Sequence, residues 1–257
     1  MTMVFSDNFP MVTVAVPCLN HGRFLDEALT SIFRQDVSVE VMLADGGSAD
    51  NTLDIIEKWQ SRLAWWRSHP DAGQAAAIDE AISHGTAPFV CWLNADDFYL
   101  EDGLRRLLEC LQRHPAAPAA YGRSWNTNEQ GLFTRPYRTW PFSEWRLSQR
   151  CFISQPATLI RRQVWEAVNG LDEQLRLAMD YDLWWKIVRR YGPLYYLTEF
   201  VAANRVYGQT KTSSMRRLHW REAMSVVKKY TGRVPIKWYL LWPWSVWFKS
   251  AWHRQRL

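Results

Sequence analysis

Apolar positions along the chain alternate between short β-rich runs and amphipathic stretches. Met11 to Val16 predicts a first strand, ended by Pro17, which cannot continue a central ladder. After the turn Asn20-His21-Gly22, a helix presents Leu25, Ala28, Leu29, Ile32 and Phe33 on one face. Val39 to Ala44 predicts a second strand, followed by a helix marked by Leu53, Ile56 and Trp59. Leu63 to Arg67 predicts a short third strand. A small-residue helix runs through Ala75, Ala76, Ala77 and Ile82 and closes at Gly85, and Phe89 to Leu93 predicts a fourth strand. The helix after it carries Leu104, Leu107, Leu108 and Leu111 and stops before Pro115. Such alternation predicts right-handed βαβ units: an α/β, Rossmann-like, mainly parallel sheet flanked by helices.

Beyond Ala119 the pattern loosens. Ala120-Tyr121-Gly122 predicts a strand, Phe142 to Arg150 an amphipathic helix, and Val164, Trp165 and Val168 another that ends at Gly170. Met179-Asp180-Tyr181-Asp182 opens a helix whose stripe is Leu183, Trp184, Ile187 and Val188. With no repeat and no low-complexity linker, residues 1–210 are expected to form one catalytic domain and 211–257 a C-terminal helical extension. The first helix of that extension, through Leu218, Ala223, Val226 and Val227, is expected to pack on the domain.

Composition narrows this picture only where it departs from the ordinary. A net charge of +5 is modest and spread along the chain, so nucleic acid is not the expected partner. The anomaly is 16 Trp in 257 residues, which points first to carbohydrate or to a membrane interface. Cys18, Cys91, Cys110 and Cys151 are scattered without a Cys-x-x-Cys pair. This speaks for a reducing compartment and against a disulfide framework or zinc site. Met1 to Pro10 lacks a basic-then-apolar signal pattern, so the expected location is cytoplasmic. The tail from Lys237 to Arg256 interleaves Trp and Tyr with Lys and Arg and is kinked by Pro243. Its apolar part falls short of the roughly 20 residues that span a bilayer. The pattern suits peripheral contact with a membrane surface, and equally a tail folded onto the domain or an oligomer interface.

The chemistry concentrates at predicted strand ends. The fourth strand runs into Asn94-Ala95-Asp96-Asp97, two adjacent carboxylates at an edge where open α/β sheets place ligands. They call either for a hard divalent cation shared with a phosphate or for a cap on the next helix; the stretch itself favours neither. Asp45 ends the second strand before Gly46-Gly47-Ser48, and a carboxylate there needs a partner. Asp50 and Thr52 read as turn and cap residues. A dinucleotide Gly-x-Gly-x-x-Gly turn after the first strand and a phosphate loop ending in Gly-Lys-Ser/Thr are both absent.

Taken in order, Val14 to Asn20, Asp45 to Thr52, Asp71-Ala72-Gly73, Asn94 to Asp97, Gln155-Pro156-Ala157 and Asp180 to Trp184 resemble the family two inverting glycosyltransferases of GT-A fold. The resemblance covers Val12 to Val206. It implies a nucleotide-sugar donor and a glycan or polyprenyl-linked glycan acceptor, as in bacterial surface polysaccharide assembly. It further implies that Asp45 binds the base, that the Pro17 to Asn20 turn lines the nucleotide pocket, and that Asp71 adds a nucleotide contact. Asp96 faces ribose and metal, Asp97 holds a Mg²⁺ or Mn²⁺ ion bridging the diphosphate, and Asp180 is the general base. By residue type, Gln155 is a candidate for acceptor-side hydrogen bonding, the alternative being a buried polar group that satisfies local backbone. Arg205 and Lys211 are candidates for diphosphate contact by charge, the alternative being a solvated basic loop. Inverting transfer needs one base across the sugar from the leaving group, so a single carboxylate suffices. Asp182 lies two residues from Asp180 on the helix, and only one of the two is expected to face the acceptor. Departures are Asn94 at the start of the metal motif, Asp79 where asparagine is common, and Tyr207 where Arg-x-His is common. A non-catalytic carbohydrate-binding or membrane scaffold of the same fold is the competing expectation.

Overall fold

In a computed structural model, which describes residues 9–244 and Val246, β1 (Val12–Cys18) lies between two parallel neighbours. These are β2 (Val39–Asp45) and β4 (Phe89–Trp92), with β3 (Trp65–Ser68) beyond β2. Helices α1 (Gly22–Phe33), α2 (Thr52–Trp59) and α3 (Gln74–Ser83) connect them. Pro17 does not end β1. The strand continues to Cys18 because β4 pairs only as far as Ala15↔Trp92, while Pro17 sits opposite Ala44 of β2.

The second half of the sheet is mixed rather than parallel. After the two-residue β5 (Phe98–Tyr99) and α4 (Gly103–Arg113) come β6 (Ala119–Thr127) and β7 (Phe133–Pro136). Then follow α5 (Glu144–Gln149), β8 (Thr158–Arg161), α6 (Arg162–Ala167), α7 (Met179–Tyr191) and β9 (Tyr195–Arg205). Strand order is β3-β2-β1-β4-β8-β6-β9-β5, with β7 on β6. β8 is antiparallel to both β4 and β6, whereas β6 and β9 run parallel through two register shifts. The structure closes with α8 (Lys211–Ser214), α9 (Arg216–Thr231) and α10 (Ile236–Pro243).

Both sheet faces are dry, so β1 reads as a continuous apolar run rather than an alternating one. Val12, Val14 and Val16 pack with Leu25, Leu29 and Ile32 of α1 and Leu104, Leu107 and Leu111 of α4. Ala15 points the other way, into a core built from α3, α7 and α9. That second core absorbs much of the tryptophan. Trp92, Trp184 and Trp185 are fully buried, Trp92 stacks on Trp184 at 6.1 Å, and Trp185 stacks on Tyr230 at 5.8 Å. Ala223, Val226 and Val227 of α9 belong to it as well.

The C-terminal helix α10 is two-sided. Trp238 is buried against Trp220 and donates from Nε1 to the Ser148 carbonyl at 2.8 Å. Ile236, Tyr239, Leu240 and Trp244 are exposed. No helix among the described residues is long and apolar enough to cross a membrane. Met1 to Asn8, on which the export expectation rests, and the end of the aromatic–basic tail, Ser245 and Trp247 to Leu257, lie outside the described residues.

Candidate active site

The C-terminal ends of β1, β2 and β4 carry most of the site residues expected from the sequence. Asn20, at φ 55°, receives the Ala49 N–H on Oδ1 at 2.8 Å, and its own N–H donates to Ser48 Oγ at 2.7 Å. The turns after β1 and β2 are thereby clamped together. Asp50 completes the clamp by accepting from Gly22 N and from Thr52 N, both at 3.1 Å; its turn reading holds, but the N-cap of α2 is Asn51 rather than Asp50 or Thr52.

Asp45 finds its partners inside the chain. Its fully buried carboxylate accepts from Gly47 N (3.2 Å), Ser48 N (2.9 Å), Ser48 Oγ (2.5 Å) and Ser68 Oγ (2.6 Å). The tight turn is open to Gly47 because its φ of 82° carries no side-chain clash. Asp71 accepts from Gly73 N at 2.9 Å and pairs with Arg67 at 3.2 Å; Arg67 also binds the Asp45 carbonyl and Glu80.

Neither Asp96 nor Asp97 caps the following helix, whose N-cap is Asp102. Asp97 is 7% exposed and accepts from Arg205 N at 2.9 Å and Asn94 Nδ2 at 3.1 Å. Burial, and next the charge of Asp96, hold its carboxyl well above the usual carboxylate range. Asp96 is more open, and its Oδ2 accepts from the Tyr207 hydroxyl at 3.2 Å. His21 Nε2 stands 3.1 Å from that hydroxyl and 4.0 Å from Asp96. With the phenol proton directed at Asp96, Nε2 must carry the hydrogen. Among the described residues no group of three or more His, Cys, Asp or Glu is arranged to hold a metal. Two carboxylates still fit a hard cation that completes its shell with substrate phosphate and water.

Arg205 departs from its expected place. Its side chain is 2% exposed, and all three guanidinium nitrogens are engaged, by the Asp96 carbonyl (2.9 Å), the Glu129 carbonyl (2.6 Å) and Glu27 (2.5 Å). It lies over the Phe24 ring at 4.5 Å. Arg205 thus braces the Asp96–Asp97 loop from behind and has no open face for a diphosphate. Gln155 is likewise occupied, donating to the Trp92 carbonyl at 2.7 Å and accepting from Asn94 Nδ2 at 3.2 Å. Asn94 in turn accepts from Gln74, and Gln74 from Lys211 Nζ at 2.8 Å. Lys211 therefore stays near the cleft, its pKa lowered chiefly by burial and partly restored by Asp96.

The first turn of α7 separates two carboxylates. Asp182 is fully buried and held by Lys229 (2.9 Å), Tyr230 (3.0 Å) and Lys186 (3.4 Å). Asp180 is partly exposed, accepts from Tyr181 N at 2.7 Å, and is pushed up to about 6 by burial. Glu222 of α9 fixes this turn by accepting from Arg176, Leu177 and Ala178 N at 3.2, 2.8 and 3.1 Å. Tyr181 donates to the Leu147 carbonyl of α5. Neither His21 nor Glu222 was singled out by sequence pattern. Their partners lie 186 and 44 to 46 residues away, so no local signal marks them.

The family model of "Glycosyl transferase family 2" matches residues 13–167, more than half of the chain. The chain belongs to that family. A hyaluronan synthase of Pasteurella multocida is 24% identical over 234 residues, 90% of this chain but 24% of that protein, so the chain spans about a quarter of that relative. The fold of this glycosyltransferase is similar to that of S. aureus TarS 1-349 in complex with UDP-GlcNAc. The TM-score is 0.69 at 17% identity, over 85% of this chain and 66% of that one. It is also similar to mannosyltransferase PcManGT from Pyrobaculum calidifontis in complex with GDP-Man and Mn2+. There the TM-score is 0.68 at 20% identity, over 89% and 67% of the two chains. The glycosyltransferase therefore has the GT-A architecture.

Proposed function

We propose that this glycosyltransferase moves a sugar, with inversion, from a nucleotide-sugar donor to a hydroxyl of a glycan or lipid-linked glycan. Residues 1–210 form the catalytic domain, and 211–257 extend it. The observation that carries the reading is Asp180: a partly exposed carboxylate with one backbone donor and a pKa of about 6, in a turn pinned from two other helices. A base with that pKa takes a proton near neutral pH and releases it readily.

In the reaction, the acceptor oxygen forms its bond to the anomeric carbon from the face opposite the diphosphate. Asp180 takes the hydroxyl proton while the bond to the leaving phosphate oxygen breaks. The nucleotide rests on the ends of β1 and β2, at Pro17 and Asp45, and on the clamped turn carrying Asn20, beside Asp71. Asp45 acts through the Ser48 turn that it holds. Asp96 and Asp97 would hold a Mg²⁺ or Mn²⁺ ion, and PcManGT binds its donor together with Mn2+. When bound, such an ion neutralises charge growing on the departing diphosphate. Lys211 adds positive charge on the same side. Gln155 keeps Asn94 in place and so positions this edge. The exposed face of α10, with Ile236, Tyr239, Leu240 and Trp244, touches the cytoplasmic membrane surface without crossing it.

The test is nucleotide release from a panel of UDP-, GDP- and dTDP-sugars with Mn²⁺, with Mg²⁺ and with EDTA. Release that needs the cation supports the reading. Absence of both donor binding and turnover under every condition would instead favour the scaffold reading.

A further inference from the structure

A second concavity lies against α5, the helix tied to the α7 turn by Tyr181, and is used by none of the roles above. Trp140, Trp145, Arg146, Gln149, Arg150 and Lys237 line a cavity of about 280 Å³. Two of these residues are exposed tryptophans: Trp145 is 71% exposed, and Trp140, whose ring edge meets the buried Phe152, is 38% exposed. Three are cations, and among the described residues none of the three is in an ion pair. The nearest acid in sequence, Glu144, is turned away and pairs with Arg189 at 3.2 Å. An aromatic wall favours the apolar face of a sugar ring, and unpaired guanidinium and ammonium groups favour an anion.

The cavity is built onto the catalytic turn. The Arg150 guanidinium sits 5.8 Å from the centre of the Tyr137 ring, and Tyr137 donates to the Cys151 carbonyl at 3.1 Å. Both Tyr137 and Cys151 feel the charge of Asp180. Its floor, α5, is tied to that turn through Tyr181 and Leu147 and to α10 through Trp238 and Ser148. Lys237, next to Trp238, is thereby carried to the rim by the C-terminal helix.

We propose that this cavity is the acceptor subsite and that it selects a glycan bearing an anionic group, a carboxylate or a phosphate, near the reacting hydroxyl. The proposal rests on the transferase reading. The sugar ring stacks on Trp145 and Trp140, while Arg146, Arg150 and Lys237 hold the anion, so the hydroxyl is turned toward Asp180. The helix α10 closes the subsite and makes acceptor selection depend on the C-terminal extension.

Direct binding tests this without requiring turnover. The full chain is titrated by calorimetry with a uronate-containing hyaluronan tetrasaccharide, with glucose 1-phosphate, and with neutral chitotetraose; UDP and GDP are titrated in parallel. At least one anionic probe is expected to bind tenfold or more tighter than chitotetraose. Arg150→Gln with Lys237→Gln should abolish that preference, and Trp145→Ala should weaken every sugar probe severalfold. Nucleotide binding should be unchanged in each variant. Which anionic probe wins separates uronate from phosphate. Equal binding of neutral and anionic probes, unchanged preference in the double variant, or no binding of any sugar while a nucleotide still binds overturns the proposal. Loss of nucleotide binding in the unmodified chain would instead sink the transferase reading.

Discussion

The two walls of the cleft treat their charges in opposite ways. On the strand-edge wall, Asp45 accepts four hydrogen bonds, Asp97 accepts two, and Arg205 donates from all three guanidinium nitrogens. On the helical wall, Asp180 has one backbone donor, and Arg146, Arg150 and Lys237 face a cavity without carboxylate partners. A buried polar group that its own chain satisfies is a support, and breaking it costs stability. A charge that its own chain leaves unmet is placed for something else. The strand edge is therefore braced by its own chain, and in the proposed reaction the helical wall is where a substrate supplies what is missing.

The contrast is sharpest within a single turn, between Asp180 and Asp182. Replacing Asp180→Asn removes the proposed base, and turnover is expected to fall by roughly a hundredfold to ten-thousandfold. Nucleotide binding should hold. In the unaltered protein, the carboxyl at about 6 must be ionised to work, so kcat/KM should decline as pH drops through about 6 and level off above it. Near-normal turnover in the asparagine variant would reassign the base. Asp182→Ala should do the reverse. It leaves Lys186 facing a vacant position and strips Lys229 and Tyr230 of an acceptor, at a cost of about 3 kcal/mol. For a chain of this size Tm should fall by roughly 6–12 °C, with specific activity of the folded protein retained. A Tm within a degree of the original would remove Asp182 from the core network.

The same contrast explains what the sequence could reveal. The first four strands were legible because each is a short β-rich run ended by turn residues, and the α4 stripe Leu104, Leu107, Leu108, Leu111 is buried as its period demands. β9 was not. Its 11 residues mix Thr198, Glu199 and Asn204 with Val201 and Ala202, and its order comes from pairing with β6, some 75 residues away. At the site, residue types were legible but loyalties were not. A strand-end aspartate looks the same whether it awaits a nucleotide or, like Asp45, is met by Ser48 and Ser68. Arg205 read as a free cation because Glu27, its ion-pair partner, lies 178 positions earlier. The tryptophan excess pointed to sugar or membrane, whereas Trp92, Trp184 and Trp185 are core.

On the strand-edge wall, Asp97→Ala probes a place where the cradle is expected to meet a ligand directly. Losing a carboxylate from the pair should weaken Mn²⁺-dependent donor binding roughly tenfold to a hundredfold. In EDTA the variant and the unaltered protein should become indistinguishable. Donor affinity that keeps its full response to Mn²⁺ would place the cation elsewhere and leave Asp97 a brace like Arg205.

The smallest effect is the most discriminating for how Asp96 is set. Tyr207 donates to Asp96 at 3.2 Å and is backed by His21 at 3.1 Å, so the phenol orients the carboxylate instead of competing for it. Removing that one hydroxyl with Tyr207→Phe forfeits its hydrogen bonds with both Asp96 and His21, and the share lost at Asp96 is about 1 kcal/mol, or roughly fivefold. The loss should appear as a higher Mn²⁺ concentration for half-maximal nucleotide release, with the saturated rate nearly kept. A lower saturated rate at an unchanged Mn²⁺ requirement would mean that Tyr207 touches the donor itself. The aromatic contacts with Phe24, at 5.4 Å, are retained in phenylalanine, so the change isolates the hydroxyl.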